Sequence, residues 1–164
     1  FGQGVSNTML QVASAISSIV NGGTYYKPYI LDSVENSSGE FDVTDPVVMR
    51  NNVLKEPVIN ELKYMMKSVV DEGGGWVAKK SGYNIGGKTG TAQLLDDDGT
   101  YSDTRFVGSF VGYIEGADGV EYVVMTRIDE PQGVRFAASG AAAPLFAHIA
   151  HWLIDYARIP PIES

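Results

Sequence analysis

Apolar positions recur at helical spacing in three stretches of the chain and at strand spacing in a fourth region. Thr8 followed by Gln11 forms a capping-box pair, and Met9, Val12, Ala13, Ile16, Ile19 and Val20 then share one face until Gly22-Gly23 stops the helix. Pro57 suits the first residue of a second helix, whose Val58, Leu62, Met65, Met66 and Val69 read as the buried stripe before Gly73-Gly74-Gly75 ends it. A last helix begins near Pro144, carries Leu145, Phe146, Ile149, Leu153 and Tyr156 at helical spacing, and stops before Pro160-Pro161. Between the first two helices, Lys27 to Leu31 reads as a short extended piece, and Asn36-Ser37-Ser38-Gly39 as a turn before another irregular stretch. From Tyr83 the pattern changes to strands at Tyr83 to Gln93, Arg105 to Ile114 and Val120 to Ile128. The loops between them, Asp96-Asp97-Asp98-Gly99 and Gly116-Ala117-Asp118-Gly119, are short, which predicts antiparallel neighbours. The order of helix, helix, three strands, helix predicts an α+β layer, an antiparallel sheet packed with helices, rather than a βαβ array.

Composition narrows the function classes. A length of 164 residues with 44% hydrophobic and 20% charged residues fits one domain or a piece of one. Twelve Lys and Arg against twenty Asp and Glu give a net charge of -8, the wrong sign for binding nucleic acid or anionic lipid. With no Cys there is no disulfide, thiolate nucleophile or zinc ribbon, and two His cannot build a three-His zinc site. The nineteen residues from Phe136 to Ile154 lack Asp, Glu, Lys and Arg, but Ser139, Gly140, Pro144, His148 and His151 interrupt them, which favours an amphipathic helix over a membrane span. The start at Phe1-Gly2-Gln3-Gly4 has no signal-peptide pattern and reads as a segment of something longer.

The densest chemical signal is Gly86-Gly87-Lys88-Thr89-Gly90-Thr91-Ala92-Gln93. Small residues there leave backbone, hydroxyls and one cation available along a strand. Period-2 alternation puts Thr89 and Thr91 on one face and Lys88 on the other. Taken alone, the segment is either a ligand-hosting strand or a glycine-rich edge strand with a solvated lysine. Gly82 to Thr89 also spells a phosphate-loop pattern, G-x-x-x-x-G-K-[ST], but Lys79-Lys80-Ser81 precede it where an apolar strand is required, and Gly90 follows where a helix should open. A lysine-assisted serine nucleophile needs Ser-x-x-Lys, which is absent, as is Ser-x-Asn. The nearest string, Thr24-Tyr25-Tyr26-Lys27, precedes Pro28 and reads as a strand start. His148 and His151 without a matched carboxylate make no metal site, and Asp96 to Asp98 lack the spacing of a calcium loop.

Several strings follow one another in a recognisable order. Phe1 to Gln11 is a glycine-rich lead-in and helix start with Met9 where a proline is usual, and Asn21-Gly22-Gly23 ends that helix. Glu72-Gly73-Gly74, Gly87 to Gln93, Ser109-Phe110-Val111-Gly112-Tyr113, Ile128-Asp129-Glu130-Pro131 and Ala142-Ala143-Pro144-Leu145-Phe146 come after. In this order the chain resembles the class B penicillin-binding proteins, bacterial peptidoglycan D,D-transpeptidases, over nearly its whole length. The resemblance implies the C-terminal part of a penicillin-binding and β-lactamase-like transpeptidase fold. Residues 1–164 would be one segment of that domain, with Ser-x-x-Lys and Ser-x-Asn upstream.

Carried over by the resemblance, Lys88 polarises the Ser-x-Asn serine and sits near the substrate carboxylate. Thr89, Gly90 and Thr91 bind substrate, the Thr89 and Thr91 hydroxyls holding that carboxylate, and the Thr91 N–H supplies half the oxyanion hole. Lys88 and Thr91 are thus the expected catalytic groups; no metal and no cofactor is implied. The implied partners are a stem peptide ending in D-Ala-D-Ala, β-lactams, and the upstream part of the same domain. The implied place is the extracytoplasmic face of the bacterial cell membrane, in a membrane-anchored parent, with the segment alone inactive. Other readings are a β-lactam sensor or β-lactamase of the same fold, and a non-catalytic interaction module. The family's sheet has five strands, two of them from upstream, so the strand at Val120 to Ile128 is expected to present an unpaired edge.

Overall fold

The computed structural model describes residues 4–119, 121–134 and 136–162. At the start the capping box forms as its residue types dictate. The Gln11 N–H donates to the Thr8 hydroxyl at 3.2 Å, and the Thr8 N–H donates to Gln11 Oε1 at 2.8 Å, opening α1 (Met9–Val20). Gly22 and Gly23, at φ of 85° and 99°, take the chain out of the helix in a conformation that side chains resist. Phe1 to Gln3 of the lead-in string lie outside the described residues, as does Val120 of the third expected strand.

Residues 25–50 hold more order than their polarity suggests. β1 (Tyr25–Tyr26) pairs with β4 (Val48–Arg50), and β2 (Ser33–Glu35) pairs with β3 (Phe41–Val43), both antiparallel. Asn36 organises the expected turn, its Oδ1 accepting from the N–H groups of Ser38 at 2.9 Å and Glu40 at 3.0 Å. The extended piece expected at Lys27 to Leu31 forms no strand of its own: pairing is at Tyr25–Tyr26 and ends with the Lys27 N–H donating to Val47 O at 2.9 Å, since Pro28 has no N–H to extend the ladder. The irregular stretch expected after the turn is likewise corrected to β3 and β4.

The main sheet has the order β5-β6-β7, from β5 (Asn84–Leu95), β6 (Tyr101–Glu115) and β7 (Glu121–Asp129), all antiparallel. Its register pairs Lys88 with Val111, Gly90 with Ser109 and Val111 with Met125. Val12 and Met9 of α1 stand over the face carrying Val111 and Met125. Phe110, Ile114 and Ile85 face the other way into the principal core, which α2 (Glu56–Asp71) and α3 (Ala143–Tyr156) complete through Val70, Phe146, Ala150 and Ile154.

Both helices bury part of the expected stripes, Met66 and Phe146 with Val69 and Leu153 packed against the core, and part of a neighbouring set. In α2 the buried residues are Ile59, Met66 and Val70, while Val58 and Met65 are 45% and 53% exposed. Ile59 and Val70 replace Val58 and Met65 because α2 serves two clusters, giving Val70 to the principal core and Met66 to a second one with Val20 and Tyr113. In α3 the buried set is Ala143, Phe146, Ala147, Ala150 and Ile154, whereas Leu145 is at the surface and Tyr156 stacks outside on Trp152 at 4.7 Å. The physical reason is closeness. A Cβ on Gly112 would lie 2.8 Å from the Phe146 ring, and one on Gly87 would overlap Phe110, so the helix rides low over a bare sheet and alanines fill most of its contact around Phe146 and Ile154. The two rings meet at 4.6 Å, tilted 45°.

Before α3 the chain makes a π turn (Ala138–Ala142), whose last carbonyl accepts the buried Thr126 hydroxyl at 2.9 Å. The C-terminal residues close the far end: the Tyr83 hydroxyl donates to Ile159 O at 2.9 Å, Ala117 N–H to Pro160 O at 3.0 Å and Ile162 N–H to Gly82 O at 2.7 Å.

Two outcomes follow from this packing. Gly108 lies against the Ala137 backbone with no room for a Cβ. Gly108→Ala should lower stability by about 3 kcal/mol, read as a reduced urea midpoint, and an unchanged midpoint would contradict the packing. Among the described residues β7 pairs only with β6. The chain produced alone should therefore self-associate through Tyr122 to Arg127, and a stable dilute monomer by size exclusion with light scattering would count against this.

Candidate active site

β5 is an edge of the sheet, and its middle carries the Lys88 to Gln93 string. Alternation works as the spacing requires. Lys88 lies on the α1 side with Val111, and Thr89 lies on the side of Phe110, where its methyl approaches Gly74. Thr91 is exposed opposite Gly108. The Lys88 cation and the two threonine hydroxyls therefore meet a common ligand only around the open edge of the strand.

A cavity of about 440 Å³ opens between the start of α1 and the sheet. Its walls are largely apolar, from Val5, Met9, Val12, Val107, Val111 and Met125, and its polar groups include Lys88, Ser109 and Arg127. Arg127 is engaged by Asp129, at 2.6 Å and 3.1 Å, and that carboxylate raises the guanidinium pKa further. Lys88 instead donates to the Thr89 carbonyl at 2.8 Å and has no carboxylate partner among the described residues. A cation held by a neutral acceptor at the mouth of an apolar cleft suits an incoming anion.

The backbone at this point is also fixed. The Gly90 carbonyl oxygen accepts from Ser109 Oγ across the strands at 3.4 Å, so it faces β6. The peptide is trans, and the Thr91 N–H on the same peptide unit therefore points away from β6, out of the sheet edge. A Cβ at Gly90 would lie 2.5 Å from that serine oxygen, so only glycine leaves the arrangement unstrained. Sequence reasoning assigned no role to Ser109 or Arg127. Strand alternation from Lys88, combined with the β5–β6 register, is the signal that places them.

The remaining candidate motifs are not brought together. Residues 84–89 of the phosphate-loop string form a strand and open no helix. His151 lies 3.3 Å from the Ala78 carbonyl while His148 is exposed, and no cluster of three potential metal ligands exists among the described residues. Asp98 accepts the Thr100 hydroxyl and N–H at 2.7 Å and 2.9 Å, which lowers its pKa and shapes the hairpin tip. Asp96 pairs with Arg105 at 2.9 Å. No helix among the described residues is long and apolar enough to cross a membrane.

The family profile described as penicillin binding protein transpeptidase domain matches residues 1–151. The chain belongs to this family. Stage V sporulation protein D of Bacillus subtilis is 38% identical to this transpeptidase-domain chain over 153 residues, 91% of the chain and 23% of that protein. Peptidoglycan D,D-transpeptidase FtsI of Escherichia coli is 30% identical over 165 residues, covering 98% and 25%. The crystal structure of penicillin binding protein 3 from Mycobacterium tuberculosis with ampicillin superposes with a TM-score of 0.82 at 30% identity, covering 98% of this chain and 37% of that one. The same protein complexed with aztreonam gives 0.81. The chain spans about a quarter of the length of the curated relatives it matches.

In this transpeptidase-domain chain the turn that brings Gly74 to Thr89 follows directly on Asp71. A hydrogen bond from Lys67 at 2.5 Å, aided by Lys79 at 3.4 Å, holds the Asp71 carboxyl below its ordinary 3.8. Its contribution is complete above that ordinary value and fades as pH falls through the lowered one. Asp71→Asn should cost about 0.5 kcal/mol near neutral pH, since the group is partly solvated. The gap to the unsubstituted protein should narrow in acid, and a gap by urea unfolding that widens there would contradict the pairing.

Proposed function

We propose that residues 1–164 are the C-terminal segment of the transpeptidase domain of a serine D,D-transpeptidase that cross-links peptidoglycan stem peptides. The observation that carries this reading is the open edge of β5, where the Lys88 ammonium and the outward Thr91 N–H flank one strand position. The family match and the β-lactams in the titles of the similar structures support it. In the complete protein an upstream serine Oγ attacks the penultimate D-Ala carbonyl and D-Ala departs with its amine protonated. The amine of a neighbouring stem then attacks the acyl ester, and the serine leaves with its proton restored.

The donor peptide lies along β5 as an added strand beside Thr89, Gly90 and Thr91. Lys88 polarises the upstream Ser-x-Asn serine and draws the terminal carboxylate, which the Thr89 and Thr91 hydroxyls hold. The Thr91 N–H gives one oxyanion donor and the upstream serine's own N–H the other, a pair in which losing one member costs roughly 3 kcal/mol of transition-state stabilisation. The parent then acts at the extracytoplasmic face of the bacterial cell membrane, where its substrate lies, held there by a membrane anchor.

Intact-mass spectrometry with benzylpenicillin tests this directly. The complete protein should gain one penicilloyl mass upstream of this segment, the 164 residues alone should remain unshifted, and Lys88→Ala should slow acylation about a hundredfold. An adduct on the segment itself, or a Lys88→Ala protein that acylates at the normal rate, would overturn the assignment.

A further inference from the structure

Ser109 stands in the cleft beside Lys88, on β6 rather than on the substrate strand. Its only partner among the described residues is the Gly90 carbonyl, at 3.4 Å. Thr126 makes the comparable cross-strand contact to Phe110 O at 3.3 Å, but it is buried and also bonded to Ala142, a packing role that Ser109 does not share. Across the strands the side chain at position 90 is missing, and the hydroxyl occupies the space it would have taken.

We propose that Ser109 is a positioning residue that polarises the Thr91 N–H through the Gly90–Thr91 peptide group. The inference rests on the reading of Thr91 N–H as an oxyanion donor. A carbonyl has two lone pairs, so the hydroxyl adds to the strand ladder instead of replacing a rung. A hydrogen bond accepted by a peptide oxygen withdraws electrons from its nitrogen and makes the N–H at the other end a stronger donor. When negative charge develops on the substrate oxygen, the Gly90 oxygen becomes more negative in turn. The long contact then has both room and reason to shorten. The effect is greatest in the transition state and small in the initial complex, so it acts on rate and not on binding.

The test uses the complete protein and a slowly reacting penicillin, with the pre-covalent Kd and the acylation rate constant separated by stopped flow. Infrared spectroscopy of the acyl-enzyme adds the ester carbonyl stretch, which reports the strength of the oxyanion donors. Ser109→Ala should lower the rate constant roughly fivefold, leave Kd within about twofold, and move the stretch to higher frequency. Ser109→Thr, which keeps the hydroxyl, should restore both readings. Ser109→Cys, of similar volume but a poorer donor, should behave as alanine does and serves where the alanine variant does not fold. An unchanged rate, a loss confined to Kd, or a slower rate with an unmoved stretch would each overturn the proposal. Failure of the unsubstituted protein to acylate at all would instead remove the D,D-transpeptidase reading, and this inference with it.

Discussion

Everything in this chain is arranged around the absence of side chains in the middle of its sheet. Phe110 needs Gly87 beside it and Phe146 needs Gly112, and the rings can meet only because neither glycine carries a Cβ. Burying a phenylalanine contributes roughly 1.5–3 kcal/mol, so the pair is a large share of what holds α3 to the sheet. The low seat of α3 then favours alanine at Ala143, Ala147 and Ala150, around the buried Phe146 and Ile154. Gly86 and Gly87, which look like features of a ligand strand, are thus explained first by packing, since Gly86 likewise lies against the Tyr113 ring. Gly90 answers to a different demand, the hydroxyl of Ser109.

That division matters for the chemistry. The rear of β5 is pressed against a rigid aromatic floor, whereas its outer edge is bare backbone with a lysine curled over it. An edge of this kind is the part of a sheet that another strand can join. The molecule as a whole carries a charge of -8, yet the cleft at this edge holds Lys88 without a carboxylate beside it. An anionic ligand approaching this acidic molecule therefore meets positive charge at this edge.

Much of this was legible in the chain, because the signals were local. Thr8 with Gln11, glycines at the ends of α1 and α2, and the polar loops between β5, β6 and β7 each fix their own element. The alternation along Lys88, Thr89 and Thr91 needed no tertiary knowledge to put cation and hydroxyls on opposite faces. What the pattern could not supply is which of two apolar faces a helix buries when both are apolar. That choice belongs to the partner surface, as Val58 and Ile59 on α2 or Leu145 and Ala147 on α3 illustrate. The ribbons at residues 25–50 were equally hidden, since strands of two or three residues are too short to display a period. Ser109 escaped notice because its meaning lies in a register, and registers are properties of pairs of strands.

The closing strap at Ile159 to Ile162 has a consequence in time. These residues leave the ribosome after every segment they tie, yet they secure Gly82 and Tyr83 at the root of β5 and Ala117 in the turn between β6 and β7. The root of β5 is thus tied by residues made after the strand itself.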